Sequence, residues 1–247
     1  MIKKKKITII YENVKTLISA LIIAIIIRSL LIQPFYIPSS SMEPTLLIGD
    51  RIFVSKYTYG YSKHSFPFSP NITNNRFFSD EPDRGDLVVF KTPADNRTDY
   101  IKRLIGLPGD TIQFIDGNLY LNEKKIIRKK IASSIKIRCG SYDLETNSFM
   151  EKLPNGIEYV AVYKKDGTMQ NTKKFLVPIN HYFLLGDNRD CSKDSRYLGS
   201  VGYVNFINLV GKAKIIFFSN DTKISSLLKF WNIKKSFRLE RLFKTLK

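Results

Sequence analysis

The chain opens on a long apolar stretch and then changes rhythm. From Val14 to Ile32 the residues are mainly Leu, Ile and Ala on every face, with Lys15 near one end and Arg28 near the other. As a helix these positions would extend roughly 28 Å at ~1.5 Å per residue, close to a hydrocarbon core of ~30 Å. Lys15 and Arg28 can carry their charges to the headgroups on flexible stems. After Gln33 the pattern becomes short β runs, at Asp50 to Lys56, Asp86 to Lys91, Tyr100 to Gly106, Thr111 to Ile115 and Asn118 to Leu121. Further runs follow at Tyr159 to Tyr163, Tyr182 to Leu185 and Val210 to Phe218. Asp116-Gly117 between two such runs signals a tight hairpin. Gly60 to Arg84, rich in Ser, Pro and Asn, predicts a long loop. Positions 122–180 turn charged and less periodic, and we expect a smaller inserted β domain there. The predicted fold is therefore mostly β, an antiparallel domain built from 33–121 and 181–220, preceded by one transmembrane helix.

The flanks of the apolar segment decide how it is used. Lys3-Lys4-Lys5-Lys6 lies in a basic segment, 1–13, that the positive-inside rule keeps in the cytoplasm, which places everything after Gln33 outside. A cleavable leader should end in a small-x-small site, but Leu30-Leu31-Ile32-Gln33-Pro34-Phe35 follows instead. A retained anchor over 14–32 is the expectation. The last stretch, 221–247, is a basic tail. Read as a helix, it would carry Leu228, Trp231, Leu239, Leu242, Phe243 and Leu246 on one face, for lying on a bilayer or docking on the core.

Composition narrows the classes less than the pattern does. Lys and Arg number 40 against 22 Asp and Glu, a net charge of +18, which suits an anionic membrane surface or nucleic acid but equally a solvated lysine-rich surface. The only histidines are His64 and His181 and the only cysteines Cys139 and Cys191, with no Cys-x-x-Cys, so no metal site is expected. Free thiols are favoured over a disulfide, because Cys191 sits inside a compact polar motif.

Chemistry gathers in three stretches. Pro38-Ser39-Ser40-Ser41-Met42-Glu43-Pro44-Thr45-Leu46 offers hydroxyls, Tyr100-Ile101-Lys102-Arg103-Leu104 offers a lysine on a strand, and Gly186-Asp187-Asn188-Arg189-Asp190-Cys191-Ser192-Lys193-Asp194-Ser195-Arg196 is dense in polar groups. A serine hydroxyl is a weak nucleophile until a base takes its proton. Neither histidine has a suitable context and no Gly-x-Ser-x-Gly elbow occurs. Alternation puts Tyr100, Lys102 and Leu104 on one strand face, and Ile101, Arg103 and Ile105 on the other. An ordinary lysine is neutral about once in two thousand at pH 7, so a lysine base needs roughly 4–5 kcal/mol of selective destabilisation of its ammonium. Apolar burial can supply that.

These three stretches resemble the type I signal peptidases, membrane-anchored Ser–Lys proteases that remove signal peptides from exported proteins. The likeness runs in patches from about Pro34 to Asn118 and from Tyr182 to Phe218. It implies an antiparallel β catalytic domain at the outer face of a bacterial cytoplasmic membrane, with preproteins and the bilayer as partners, no nucleic acid and no cofactor. By the motif match Ser41 is the nucleophile and Lys102 the general base. The Ser41 N–H and the Ser39 hydroxyl form the oxyanion hole. Ser192 orients the lysine, while Asp187, Asp194, Arg196 and Arg103 hold the site together. Ile37 and Ile101 match positions lining shallow pockets for the small side chains of an Ala-x-Ala signal. Two residues depart from the pattern, Ser40 where glycine is usual and Cys191 where Asn is common. Strain at Ser40 is expected if its backbone needs positive φ, at about 1–2 kcal/mol. A soluble self-cleaving Ser–Lys repressor would lack the anchor and need an Ala-Gly junction, which is absent here. A basic nucleic-acid or lipid tether would leave the motifs unexplained.

Overall fold

The computed structural model describes every residue except 1, 72, 141, 165–166, 168–169, 222–235 and 247. Helix α1 spans Ile2–Ile26 and widens into a π-helical turn at Ile27–Leu31, which leads without a linker into strand β1, Ile32–Tyr36. The apolar window Ile10–Leu31 is long enough to cross a membrane, and almost none of it is buried against the rest of the chain. Ile32 belongs to a strand rather than the helix, and the apolar window begins four residues earlier than Val14.

The strands that follow are β2 (Asp50–Ser55), β3 (Leu87–Lys91), β4 (Asp99–Gly106), β5 (Thr111–Ile115), β6 (Asn118–Leu121) and β7 (Lys124–Lys125). Next come β8 (Ile127–Cys139), β9 (Tyr142–Lys152), β10 (Glu158–Lys164), β11 (Phe175–Leu176) and β12 (His181–Leu185). The series ends with β13 (Val204–Asn205), β14 (Leu209–Ser219) and β15 (Lys244–Thr245). The principal sheet runs β1-β2-β14-β3-β4-β12-β13, with β15 added to β14, and all its pairings are antiparallel. A second sheet runs β11-β5-β6-β7 and a third β10-β9-β8.

Alternation explains how β4 is shared. Tyr100 and Leu104 pack with Val88, Phe90 and Leu184, while Ile101 packs beside Ile37, Met42 and Ile52, and Ile105 beside Phe183 and Leu185. Gly106 has no room for a side chain, since a Cβ there would meet Ile112 and Phe183. The third sheet is no loose appendage. Tyr159 and Ala161 from it, with Leu153 from the turn between β9 and β10, join Ile105, Phe114 and Phe183 in one apolar cluster.

From Phe237 onward the tail is not the helix expected of it. The stretch Ser226 to Lys235 lies outside the described residues. Beyond it, a 3-10 turn at Leu239–Arg241 precedes β15, Leu246 enters the core, and Leu239 and Phe243 face solvent. Gly60 to Arg84 is a loop, as its composition predicts, punctuated by the short turn Lys63–Ser65 and an isolated bridge between Tyr61 and Phe77.

Candidate active site

Ser41 sits in a turn between β1 and β2, held from below by residues of the polar motif after β12. Its carbonyl accepts from the Asn188 N–H at 3.2 Å, and the Ser40 carbonyl accepts from the Asn188 side-chain amide at 3.2 Å. The Thr45 hydroxyl donates to Asp187 at 2.6 Å, fastening the far side of the turn to the same motif. Ser39 Oγ lies 3.4 Å from Ser41 Oγ, and the Ser41 peptide N–H has no acceptor among the described residues. Ser40 does not adopt positive φ, so the backbone strain expected of it does not arise.

Lys102 comes from the middle of β4, where flanking strands exclude water, and is only 3% exposed. Its Nζ lies 2.7 Å from Ser41 Oγ and 2.8 Å from the Ile101 carbonyl. Burial pulls its pKa down to about 8, against a partial upward pull from Asp194 and Asp187. That pull is weak because both carboxylates are already engaged. Arg103 grips Asp187 with two bonds of 2.8 Å, and Arg196 grips Asp194 likewise. Burial pushes the Asp194 carboxyl up, but the Arg196 charge outweighs it and holds the group ionised. The arrangement leaves a sheltered amine with a hydroxyl beside it and no carboxylate of its own.

Ser192 Oγ is buried and forms no well-shaped hydrogen bond, although it lies close enough to Asp194 to favour that carboxylate. It does not bond Lys102 directly. The turn is packed so closely that a Cβ at Gly186 would collide with Ser192 and with the Ser41 carbonyl. Ile37 and Ile101 line a mainly apolar cavity of about 390 Å³ that also touches Ser39, Ser41 and Lys102. The arrangement can deprotonate a hydroxyl and hold a small apolar side chain beside it.

Several contributors escaped sequence reasoning. Cys139 and Cys191 form a disulfide, overturning the expectation of free thiols, and Cys191 Sγ lies 3.5 Å from Ser40 Oγ. The spacing of the two thiols carried no sign of this, because β8 brings Cys139 to the motif from 52 residues away. Arg189 is buried in an ion pair of 2.8 Å with Glu151, roofed by the Tyr159 and Tyr163 hydroxyls. Arginine within the motif was visible; its partner on β9 was not. Thr45 lies inside the Pro38–Leu46 stretch, where the sequence alone assigns it no task. Among the described residues no cluster of His, Cys, Asp and Glu could hold a metal.

Residues 10–218 match the family model of signal peptidase, peptidase S26. The signal peptidase I of Rickettsia typhi is 45% identical over 91% of this chain and 89% of its own length. That of Rickettsia prowazekii is 44% identical over the same shares. A crystal structure of a signal peptidase I from Enterococcus faecalis aligns over 54% of this chain and 97% of its own, at 25% identity and a TM-score of 0.32.

Proposed function

The chain belongs to the signal peptidase family, peptidase S26, and on that premise we propose that it cleaves signal peptides from exported preproteins through a Ser41–Lys102 dyad. The observation that carries this reading is the 2.7 Å contact between a buried, charge-poor lysine and a serine hydroxyl. Neutral Lys102 accepts the Ser41 proton as the oxygen attacks the scissile carbonyl. The resulting oxyanion takes the Ser41 N–H and the Ser39 hydroxyl, donors of a kind worth about 3 kcal/mol each in such sites. The Lys102 ammonium then gives its proton to the leaving amine, which departs as the new N-terminus and leaves an acyl ester on Ser41. Water loses a proton to Lys102 as it attacks the ester, and the released serine recovers one.

The cavity beside Ile37 and Ile101 supports specificity for small residues before the cut, since Phe35, Met42, Ile52 and Val89 join them in a mainly apolar wall, with Asp99 and Lys193 the charged side chains in the lining besides Lys102. The membrane-length helix supports anchoring on the bilayer that carries the substrate, with the basic 1–13 segment in the cytoplasm and the sheets on the outer side of a bacterial cytoplasmic membrane. The test is a pair of variants in the full chain. Ser41→Ala and Lys102→Ala should each abolish cleavage of a purified preprotein while the protein still inserts and unfolds cooperatively. Wild-type turnover in either variant removes that residue from the mechanism.

A further inference from the structure

A second cavity, of about 570 Å³, lies between the exit of the membrane-length helix and the principal sheet. Five cations border it, Arg28, Lys56, Lys63, Lys91 and Arg97, against two carboxylates, Asp95 and Asp99. Asp99 is taken by Lys91 at 2.9 Å. Asp95 is turned onto its own loop, accepting from the Arg97 and Thr98 backbone and the Thr98 hydroxyl. Among the described residues the other four cations have no carboxylate within ion-pair distance. Lys56 is the sharpest case, only 2% exposed, its ammonium bonded among the described residues to the Ser65 carbonyl alone, at 2.5 Å. Burial first, then the Arg28 charge, brings it down to about 8.

The position of the cavity indicates where a counter-charge would come from. Arg28 lies in the last turn of the apolar span, and the Tyr61 hydroxyl donates to the Leu30 carbonyl at 2.9 Å, tying the loop that carries Lys63 to the helix exit. Phe68, on the cavity rim, is fully exposed, and Phe78 on the same loop is nearly so. Aromatic rings and cations at the end of a spanning helix belong at the level of lipid headgroups. We propose that this cavity binds the phosphate of an anionic phospholipid, with Arg28, Lys63 and Arg97 as its donors and the charge of Lys56 beneath it. The cavity shares Phe35 and Asp99 with the groove that holds Ser41 and Lys102. A bound lipid therefore sets the groove beside the bilayer surface. This holds whether or not the dyad assignment is right.

The test uses the full chain in detergent, titrated with phosphatidylglycerol or phosphatidylcholine and read by native mass spectrometry. Wild type should retain phosphatidylglycerol at least about tenfold more tightly, as expected for two or three juxtaposed cations. Lys63→Glu with Arg97→Glu should reduce that preference below about threefold, whereas Lys63→Arg with Arg97→Lys should keep it. If the first pair fails to unfold cooperatively, Lys63→Gln with Arg97→Gln is measured in its place. Equal retention of the two lipids by wild type overturns the proposal, as does an undiminished preference in the folded charge variant. Glycerol 3-phosphate is the third arm, and binding as tight as that of phosphatidylglycerol would make this a site for soluble phosphate and sink the lipid assignment.

Discussion

Lys102 shows how far a single residue can be read before coordinates exist. Its strand, its facing residues and its need for burial follow from alternation around Tyr100 and Leu104. The fate of the neighbouring carboxylates does not, because Arg103–Asp187 and Arg196–Asp194 close only in three dimensions. Their closure is what lets burial dominate and settle the lysine at about 8. About a tenth of the molecules then carry the neutral amine at pH 7. Acylation of Ser41 should rise nearly tenfold per pH unit below 7 and level off above about 8, measured with an active-site acylating inhibitor in single-turnover mode. The same shift costs stability. The native lysine titrates at about 8 and the unfolded one at 10.5, so the unfolded chain binds more protons between those values. The cost is present in full below pH 8 and is relieved as pH climbs toward 10.5. Lys102→Met should accordingly abolish activity yet raise the thermal midpoint at pH 7, by up to roughly 3 kcal/mol of stability. The gain should shrink by pH 10. A variant no more stable than wild type at pH 7 would show that the lysine is not destabilised in the fold.

At the scale of elements, the legible strands were those whose apolar runs end at turn residues. β2 to β6, β10, β12 and β14 all fall where pattern and punctuation place them. β8 and β9 were illegible for a physical reason: much of their hairpin faces solvent, with Lys129, Lys130 and Lys136 exposed, and the positions that β9 does bury, Thr146, Ser148 and Glu151, are polar, so no apolar period marks the sequence. What holds this hairpin is sparse and specific, a disulfide at one end and the Glu151–Arg189 pair near the other. The two departures from the signal-peptidase pattern meet at that disulfide, where Ser40 touches Cys191. A side chain between the serines and a covalent tie beneath it form one local solution. Reduction should cost about 2–4 kcal/mol, as for a bridge closing a loop of this size. It should also slow cleavage, because the freed turn carries Ser192 and borders the cavity lined by Ile37 and Ile101. Thermal unfolding and preprotein cleavage with and without a dithiol measure both effects. Cys191→Asn should be indifferent to the dithiol, and a wild type equally indifferent would show the bridge to be idle.

Across the whole molecule, the chain returns at its end to the loop that carries Ser41. Sequence reasoning offered the tail a helix because its leucines recur at helical spacing, but tertiary contacts override that propensity in the described part. Arg241 reaches Asp50 with Nε at 3.0 Å and Nη2 at 2.5 Å, and Nη2 also donates to the Thr45 carbonyl at 3.0 Å. Asp50 in turn accepts from the Leu47 N–H at 2.9 Å and the Ser219 hydroxyl at 2.6 Å, closing the turn that follows Ser41. Thr45 is bonded on its other side to Asp187, so the loop that carries Ser41 is gripped between the tail and the polar motif. Arg241→Met removes the guanidinium and strands a buried carboxylate. Breaking one side of such a pair typically costs about 3–5 kcal/mol. The loss should appear as a lower thermal midpoint and as a reduced kcat, with KM moving less because Ile37 and Ile101 are untouched. The double variant Arg241→Met with Asp50→Asn removes the stranded charge and should recover much of the stability without recovering kcat, since the grip on Thr45 stays lost. Recovery of both together would make the tail a source of stability alone.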